Sequence, residues 1–147
     1  MKSIVRGAAI AVFAAQLYFP GCAPSAIKPV DIHPEDACSN CRMAVSDKSF
    51  ASEIILQSGE ALKFDDLECL EDYRKKQPAA KIAAIFVSDY ETKEWLAYEK
   101  SVIVETGIAT PMGSGKISVK DMVRAKVIRE KYPSTKTLTD AGCCTPE

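Results

Sequence analysis

The chain has 147 residues, with 19 lysines and arginines against 20 aspartates and glutamates, so its formal net charge is −1. This balance, without a basic stripe, excludes a nucleic-acid-binding protein. The hydrophobic fraction of 47% is ordinary for a globular core, and the length suits one domain or two very small ones.

The first 21 residues predict an export signal. A short basic region is followed by an uncharged apolar run over residues 8–19, which is the layout of a secretory signal peptide. Gly21 directly precedes Cys22, as in bacterial lipoprotein signals, in which the cysteine is lipidated and becomes the new N-terminus. An uncleaved anchor is the alternative, but Pro20 leaves an apolar run shorter than the ~20 residues that a span needs. Under each of these interpretations, the chain is exported from the cytoplasm.

Removal of the signal leaves 126 residues with a net charge of −3. We predict a lipid-anchored linker over residues 22–37, a folded domain over residues 38–133 and a flexible tail over residues 134–147. Five cysteines remain beside the lipidated one: Cys38, Cys41, Cys69, Cys143 and Cys144. Five thiols cannot all pair within one chain, although exported proteins normally oxidise their thiols. A leftover thiol suggests metal binding, exchange chemistry or a partner contact.

The folded region begins with a strand–strand–helix pattern. Alternation over residues 51–57 predicts a strand, and residues 61–64, after a Ser-Gly turn, predict its return partner. Asp65 is the expected N-cap of the following helix, which Pro78 ends. An apolar and β-branched run over residues 81–87 then predicts a buried strand.

A similar pattern follows in the second half of the chain. Residues 95–98 and 102–104 predict two strands, and residues 106–115 form a Gly/Pro-rich loop. Ser118 is the expected N-cap of a second helix, which ends at Tyr132 before a proline. The two helix starts align when the residues around Asp65 are matched to those around Ser118.

The recurrence predicts the fold class. We expect an α+β fold in which two small, similar ββαβ-like units, about residues 50–88 and 95–132, pack as one compact domain. The expectation rests on the similarity of the two helix starts.

The segment that carries most of the chemistry is Cys38-Ser39-Asn40-Cys41-Arg42-Met43. Soft sulfur ligands select soft metals such as Cu(I). In an extended segment, the side chains of Cys41 and Met43 would lie on the same side, so both sulfurs could face one ion. The alternative is that Met43 fills a gap in the core. The chain has a single histidine, His33, which lies in the predicted linker.

The spacing of Cys38 and Cys41 leaves other interpretations open. A thioredoxin-like redox pair would begin a helix within a βαβ pattern, and no helical pattern follows Cys41. Structural zinc requires four ligands, which the adjacent Cys143 and Cys144 would complete poorly. A simple Cys38–Cys41 disulfide that closes a loop is also compatible with export.

Three other positions offer sulfur. Cys69 is expected in the first turn of the first helix, where the helix dipole lowers a thiol pKa; alternatively it is a small buried hydrophobic residue. Met112 either packs back on the domain or projects from its loop toward a ligand or partner. Cys143 and Cys144 are either a mobile metal-capturing pair or part of a tail without function. No nucleophilic triad and no carboxylate pair with a base is found, so we do not expect an enzyme.

In combination, these motifs resemble the nitrous oxide reductase accessory proteins of the NosL type. The resemblance runs from about residue 38 to residue 132 and rests on three elements in order: Cys41-Arg42-Met43, Phe64-Asp65-Asp66 with Cys69, and Pro111-Met112-Gly113-Ser114-Gly115. It implies two small ββαβ-like lobes and a periplasmic lipoprotein that binds one Cu(I) ion. It also implies that Cys41 and Met43 are ligands, with Met112 as a second methionine candidate.

The leading hypothesis is therefore a non-enzymatic copper chaperone, lipid-anchored through Cys22 to a bacterial membrane and facing the periplasm. Cys41 and Met43 would bind Cu(I), with Cys38, Cys69 and Met112 as further candidates. The resemblance implies that the partner is nitrous oxide reductase, a multicopper enzyme of denitrification, or its copper-loading ABC-transporter machinery. The alternatives are an exported thiol–disulfide exchange protein that uses Cys38 and Cys41, and a purely structural lipoprotein module.

Overall fold

The computed structural model describes residues 26–134, which form two antiparallel sheets and two ten-residue helices. The strands are β1 (Ser52–Leu56), β2 (Ala61–Phe64), β3 (Ile82–Ser88), β4 (Trp95–Ala97), β5 (Val102–Glu105) and β6 (Lys116–Val119), and the helices are α1 (Leu67–Lys76) and α2 (Met122–Lys131). The larger sheet has the strand order β2-β1-β3-β4, and the smaller one pairs β5 with β6. The predicted α+β fold is confirmed. Among the described residues, no helix is both long and apolar enough to cross a membrane.

The larger sheet is built on the β1–β2 hairpin. Gly59 reverses the chain with a φ of +89°, a conformation that glycine adopts without a steric penalty. The hairpin pairs Ser52 with Phe64. β3 then lies antiparallel along the other edge of β1, where the apolar run at residues 81–87 predicted a buried strand.

Helix α1 packs its apolar face on this sheet. Leu67 and Leu70 are buried, and Leu70 joins a core that contains Ile54, Phe64 and Ile85. Burial of a leucine or isoleucine side chain contributes about 1.5–3 kcal/mol. This packing therefore holds the start of α1 in a fixed position against β1 and β2.

The N-cap of α1 is Asp66, so the prediction of Asp65 is wrong by one residue. Asp66 has an extended backbone, and its carboxylate accepts the N–H of Glu68. Asp65 lies outside the helix, between the end of β2 and the cap. Because it does not cap the helix, its carboxylate is available for other contacts.

Both predicted strands of the second half are present as β4 and β5, but they lie in different sheets. Residues Lys116–Val119 form β6, which pairs with β5, whereas β4 joins the edge of the larger sheet beside β3. The predicted N-cap at Ser118 is wrong, because Asp121 caps α2 by accepting the N–H of Arg124. The buried Ser118 hydroxyl donates to the Ser88 carbonyl of β3. This non-local contact holds residue 118 in a strand, and no local pattern reveals it.

The internal repeat is present in a register two residues away from the predicted one. Phe64 and Val119 end the second strand of each hairpin, and Asp66 and Asp121 cap a helix two residues later. The predicted alignment instead matched the first helix start to a position inside β6. Each unit is thus an antiparallel hairpin followed by a helix with an aspartate cap.

The two units meet where β6 lies beside α1 and β3. Asp89, after β3, forms a parallel bridge with Ser118 of β6. Lys116, also on β6, donates to Glu68 at 2.9 Å and to Glu71 at 2.7 Å, both on α1. The start of α1 is therefore held by both units.

Candidate metal centre

Three cysteines and one aspartate converge at the start of α1. One ligand atom from each of Cys38, Cys41, Asp65 and Cys69 lies within 4.8 Å of the others. We call these four residues the cysteine–aspartate cluster. Cys38, Asp65 and Cys69 are buried, and Cys41 is partly exposed. All three cysteines are free thiols, so the alternative of a Cys38–Cys41 disulfide is not the arrangement in this structure.

A tight turn before the first strand supplies two of the thiols. The Cys38 N–H donates to the Met43 carbonyl oxygen at 2.7 Å, and the Arg42 N–H donates to the Cys38 carbonyl oxygen at 3.0 Å. The Ser39 N–H donates to the Lys63 carbonyl oxygen of β2 at 2.8 Å. These bonds fix the backbone of the turn against the larger sheet.

Arg42 gives this turn a left-handed residue. Its φ is +68°, a region that costs a residue other than glycine on the order of 1–3 kcal/mol. Cys41 therefore lies in a turn, and the predicted extended geometry, which would place the sulfurs of Cys41 and Met43 on one side, is wrong for this segment. The backbone N–H of Met43 instead interacts with the Cys41 sulfur.

The junction between β2 and α1 supplies the other two donors. Asp65 directly precedes the N-cap, and Cys69 is the third residue of the helix. The Cys41 sulfur lies 3.5 Å from each carboxylate oxygen of Asp65, so the thiol donates to the carboxylate. Within residues 26–134, no lysine or arginine pairs with the buried Asp65. A buried anion without a cation is costly, and a bound metal ion would compensate it.

Burial raises the pKa of the Cys69 thiol and of the Cys41 thiol. For Cys69, burial is the largest cause; the Asn40 amide opposes it, while Cys38 and Asp65 add to it. The prediction that the helix dipole lowers the pKa of Cys69 is therefore wrong, because desolvation of the thiolate outweighs the dipole. Burial therefore favours the protonated thiols of Cys41 and Cys69, which would release their protons when a metal ion binds.

Asn40 supports the cluster from the turn, and the sequence analysis did not single it out. Its side chain interacts with the Cys69 sulfur. Lys76, the last residue of α1, donates to the Asn40 Oδ1 at 3.0 Å. Because the lysine occupies this oxygen, the amide NH₂ group remains to face the sulfur.

Asp66 fastens the Gly/Pro-rich loop to the same helix start. Its carboxylate accepts the Met112 N–H at 2.9 Å and the Ser114 hydroxyl at 2.7 Å, in addition to the N–H of Glu68 at 2.9 Å. Burial opposes ionisation of Asp66, but hydrogen bonds from Thr110, Glu68, Met112 and Ser114 lower its pKa. The backbone of Met112 is therefore held next to the helix that carries Cys69.

The structure brings together three of the predicted sulfur donors, which are Cys38, Cys41 and Cys69. The side chains of Met43 and Met112 are 46% and 44% exposed, and both residues are tied to the surroundings of the cluster through their backbones. Their role as sulfur ligands stays a prediction. The expected lipidation site, Cys22, and the pair Cys143 and Cys144 lie outside the described residues.

Asp65 is the donor that the sequence analysis missed, because it was interpreted as a cap. Two adjacent aspartates precede α1, and only one residue can occupy the N-cap position. The second acidic residue at such a helix start is the signal that could have identified Asp65 as a functional candidate.

Comparisons with known proteins identify the family of the chain. A comparison with curated proteins finds no match. Among solved structures, the chain is similar to the crystal structure of the copper chaperone NosL from Shewanella denitrificans, with a TM-score of 0.64 and 14% sequence identity over 71% of this chain and 87% of that one. At this identity the likeness shows a shared fold. A model of the NosL family matches residues 29–141, which is most of the sequence, and the chain therefore belongs to the NosL family.

Proposed function

We propose that the protein is a non-enzymatic copper(I) carrier whose cargo site is the cysteine–aspartate cluster. The observation that carries this proposal is the convergence of three thiols and a carboxylate within 4.8 Å. The donors come from two separate segments, the turn at residues 38–43 and the start of α1, so folding assembles the site. The structurally similar protein from Shewanella denitrificans is a copper chaperone, which supports copper as the cargo.

The donor set suits a soft ion. Thiolate ligands select Cu(I) over hard cations. Four donors that surround one ion tetrahedrally at about 2.3 Å are roughly 3.8 Å apart, and the four ligand atoms of the cluster lie within 4.8 Å of one another. A contraction of the widest separation by up to about 1 Å would therefore let the cluster enclose one ion. Zinc also accepts cysteine and aspartate ligands, so zinc is the competitor that an experiment must include.

Cys41 is the donor through which an ion would leave. Cys38 and Cys69 are buried, whereas Cys41 is partly exposed, so an acceptor ligand can reach the ion on that side. When an acceptor thiol replaces Cys41 at the ion, the acceptor loses a proton and the Cys41 sulfur gains one. The Cys41 thiol then donates its hydrogen bond to Asp65, as in the present structure. We propose Met43 and Met112 as additional donors on this side.

Thiol–disulfide exchange by Cys38 and Cys41 is disfavoured by the burial of Cys41 and of its neighbour Cys69. Exchange begins with attack by a thiolate. Burial raises the pKa of Cys41 and Cys69, so at neutral pH these groups are protonated thiols and poor nucleophiles. This environment supports metal binding, in which the ion itself displaces the protons.

The cellular setting is also a proposal, and it rests on the N-terminal sequence and the family. Lipidation of Cys22 would hold the domain at the periplasmic face of a bacterial membrane. The recipient of the copper would be nitrous oxide reductase or its copper-loading ABC-transporter machinery. Mass spectrometry of the parent protein and of Cys22→Ser from a bacterial membrane fraction tests the anchor, since only the parent should carry a diacyl modification.

Anaerobic titration with Cu(I) against a competing chelator tests the cargo site. The parent protein should bind one ion and develop the ultraviolet charge-transfer absorption of Cu(I)–thiolate bonds. Cys38→Ser, Cys41→Ser and Cys69→Ser should each lower the affinity by roughly tenfold or more, because each substitution removes a soft ligand.

The double variant Cys143→Ser with Cys144→Ser is the matched control, since it removes two thiols and leaves the four residues of the cluster unchanged. It should bind Cu(I) with the affinity of the parent. Equal affinity in the three cluster variants would reject the site. Tighter binding of Zn(II) than of Cu(I) in the same competition would reject copper as the cargo.

A further inference from the structure

Arg42 combines an unfavourable backbone conformation with a charge that has no ion-pair partner among residues 26–134. Its φ is +68°, and its side chain is exposed. In the part of the chain that the structure describes, no carboxylate or aromatic ring contacts this guanidinium group; only its backbone N–H is bonded, to Cys38. Non-glycine residues in this backbone region concentrate at functional sites, so the presence of arginine here calls for a function.

The position of Arg42 is next to the exposed side of the proposed cargo site. It lies between Cys41, the accessible donor, and Met43, which is 46% exposed. Cys41 in turn contacts the buried Asp65. We call the exposed surface formed by Arg42 and Met43 beside Cys41 the rim.

The carboxylates near the rim have partners other than Arg42. Asp65 is buried and accepts the Cys41 thiol. Asp36, before the turn, pairs with Lys63, and Glu68 on α1 pairs with Lys116. Asp66 is satisfied by the loop. Within residues 26–134, the rim therefore presents one cation without an ion-pair partner beside the exposed thioether of Met43.

We propose that Arg42 receives a carboxylate group of the protein that exchanges copper with this chain, so that the partner's acidic surface docks over Cys41. The proposal rests on the proposed copper-carrier function and names the chemistry of its partner. Guanidinium groups bind carboxylates through two parallel hydrogen bonds, which fixes orientation as well as position. The exposed side chain of Met43 would supply the apolar contact beside this pair, a use for which methionine is well suited.

A protein carboxylate fits the rim better than an anionic lipid surface does. Recognition of anionic membranes typically needs a cluster of about four to eight basic residues. The turn at residues 38–43 contains one basic residue. Binding to a membrane is therefore the competing outcome that the experiment must separate.

Transfer of Cu(I) to two synthetic peptides tests the proposal. Both peptides contain the same pair of cysteines two residues apart; one carries flanking glutamates and the other carries glutamines at the same positions. The parent protein, loaded with Cu(I), should transfer to the glutamate peptide roughly tenfold faster than to the glutamine peptide at low ionic strength. The preference should largely disappear at about 1 M salt, where screening acts over ~3 Å.

Arg42→Gln should abolish the preference for the glutamate peptide and keep the Cu(I) affinity of the parent. Arg129→Gln is the matched control, since it removes the same charge from an exposed position on α2 and should keep the preference. Arg42→Lys should retain only part of it, because lysine keeps the charge without the paired donors.

The outcomes separate this proposal from the copper-carrier function. If the parent does not bind Cu(I), the carrier function fails first. If it binds Cu(I) and Arg42→Gln keeps the peptide preference, the docking role is rejected. A loss of Cu(I) affinity in Arg42→Gln would assign Arg42 to the cargo site and also reject docking. Arg42-dependent binding to phosphatidylglycerol vesicles without any peptide preference would replace the protein partner by a membrane.

Discussion

Two adjacent aspartates have different tasks at the start of α1. Asp65 contacts the Cys41 thiol, whereas Asp66 caps the helix and holds the loop at Met112 and Ser114. One carboxylate therefore faces the proposed cargo site and the other joins elements of the fold. Separate substitution of Asp65 and Asp66 should therefore distinguish an effect on Cu(I) binding from an effect on the stability of the fold.

Asp66→Ala should lower the free energy of unfolding by roughly 2–3 kcal/mol, because it removes an N-cap and leaves buried donors of the loop unpaired. Asp65→Ala should change stability by less than about 1 kcal/mol, since it relieves a buried and uncompensated anion, but it should weaken Cu(I) binding. Urea denaturation and Cu(I) competition on both variants measure the two effects. A reversed order of stability would contradict this assignment.

Glu53 is a buried carboxyl group that should reduce stability at neutral pH. It lies on β1 and is fully buried; Oε2 accepts the Val30 N–H at 2.9 Å, and Oε1 has no hydrogen-bond partner in the described structure. Burial raises the pKa of Glu53 above its usual value of 4.5. The folded state then binds this proton more tightly than the unfolded state, so stability falls as the pH rises through the folded pKa.

Glu53→Gln should therefore raise the free energy of unfolding at pH 7, by on the order of 1 kcal/mol. The gain should shrink on acidification and vanish below about pH 4.5, where both states of the parent are protonated. Urea denaturation as a function of pH measures the effect. Glu60→Gln, in the exposed hairpin turn, should change stability by less than about 0.5 kcal/mol. A pH-independent difference between parent and Glu53→Gln would disprove the role of this proton.

Among the elements, those with local signals were predictable from sequence. The β1–β2 hairpin, α1 and β3 follow from alternation, a cap and an apolar run. The four-residue β6 was missed because Ser118 looks like a cap, while its burial against Ser88 is non-local. The assignment of β4 to the larger sheet was missed for the same reason, since strand pairing depends on distant residues.

The link between β6 and α1 gives an element-scale prediction. Lys116 donates to Glu68 and Glu71, and its side chain is only 17% exposed. Lys116→Met should lower the free energy of unfolding by roughly 1–2 kcal/mol, because two partly buried carboxylates lose their cation.

Lys126→Met is the matched control. Lys126 meets only the exposed Glu130 at 4.0 Å, so the loss should be below about 0.5 kcal/mol. Equal losses in urea denaturation would show that the link contributes nothing specific.

At the scale of the whole molecule, the sequence named the candidate sulfur side chains, and the structure brings three of them together. Cys38, Cys41 and Cys69 carry recognisable chemistry, whereas the inclusion of Asp65 depends on which aspartate caps the helix. The left-handed turn at Arg42 also has no signal in a single sequence, because most residues other than glycine avoid that conformation. Tertiary contacts thus decide which of the candidate donors meet.

The cluster joins two separate segments of the chain, so its occupation should stabilise the whole fold. A ligand that binds only the folded state adds about 2.7 kcal/mol when its free concentration is 100 times its Kd. For a domain of this size that should raise the Tm by on the order of 10 °C. Hydrogen exchange should slow in the turn at residues 38–43 and at the start of α1, while the remote helix α2 should gain protection only through global stability.

Anaerobic calorimetry with and without one equivalent of Cu(I) measures the shift in Tm. Cys38→Ser and Cys69→Ser should each lose most of it, because a site with one buried thiol fewer binds the ion more weakly. Met122→Leu, at an exposed position on α2 that is 69% accessible, is the control and should retain the full shift. An undiminished shift in Tm in the two cysteine variants would mean that copper binds at another position. The cluster would then be rejected as the copper-binding site.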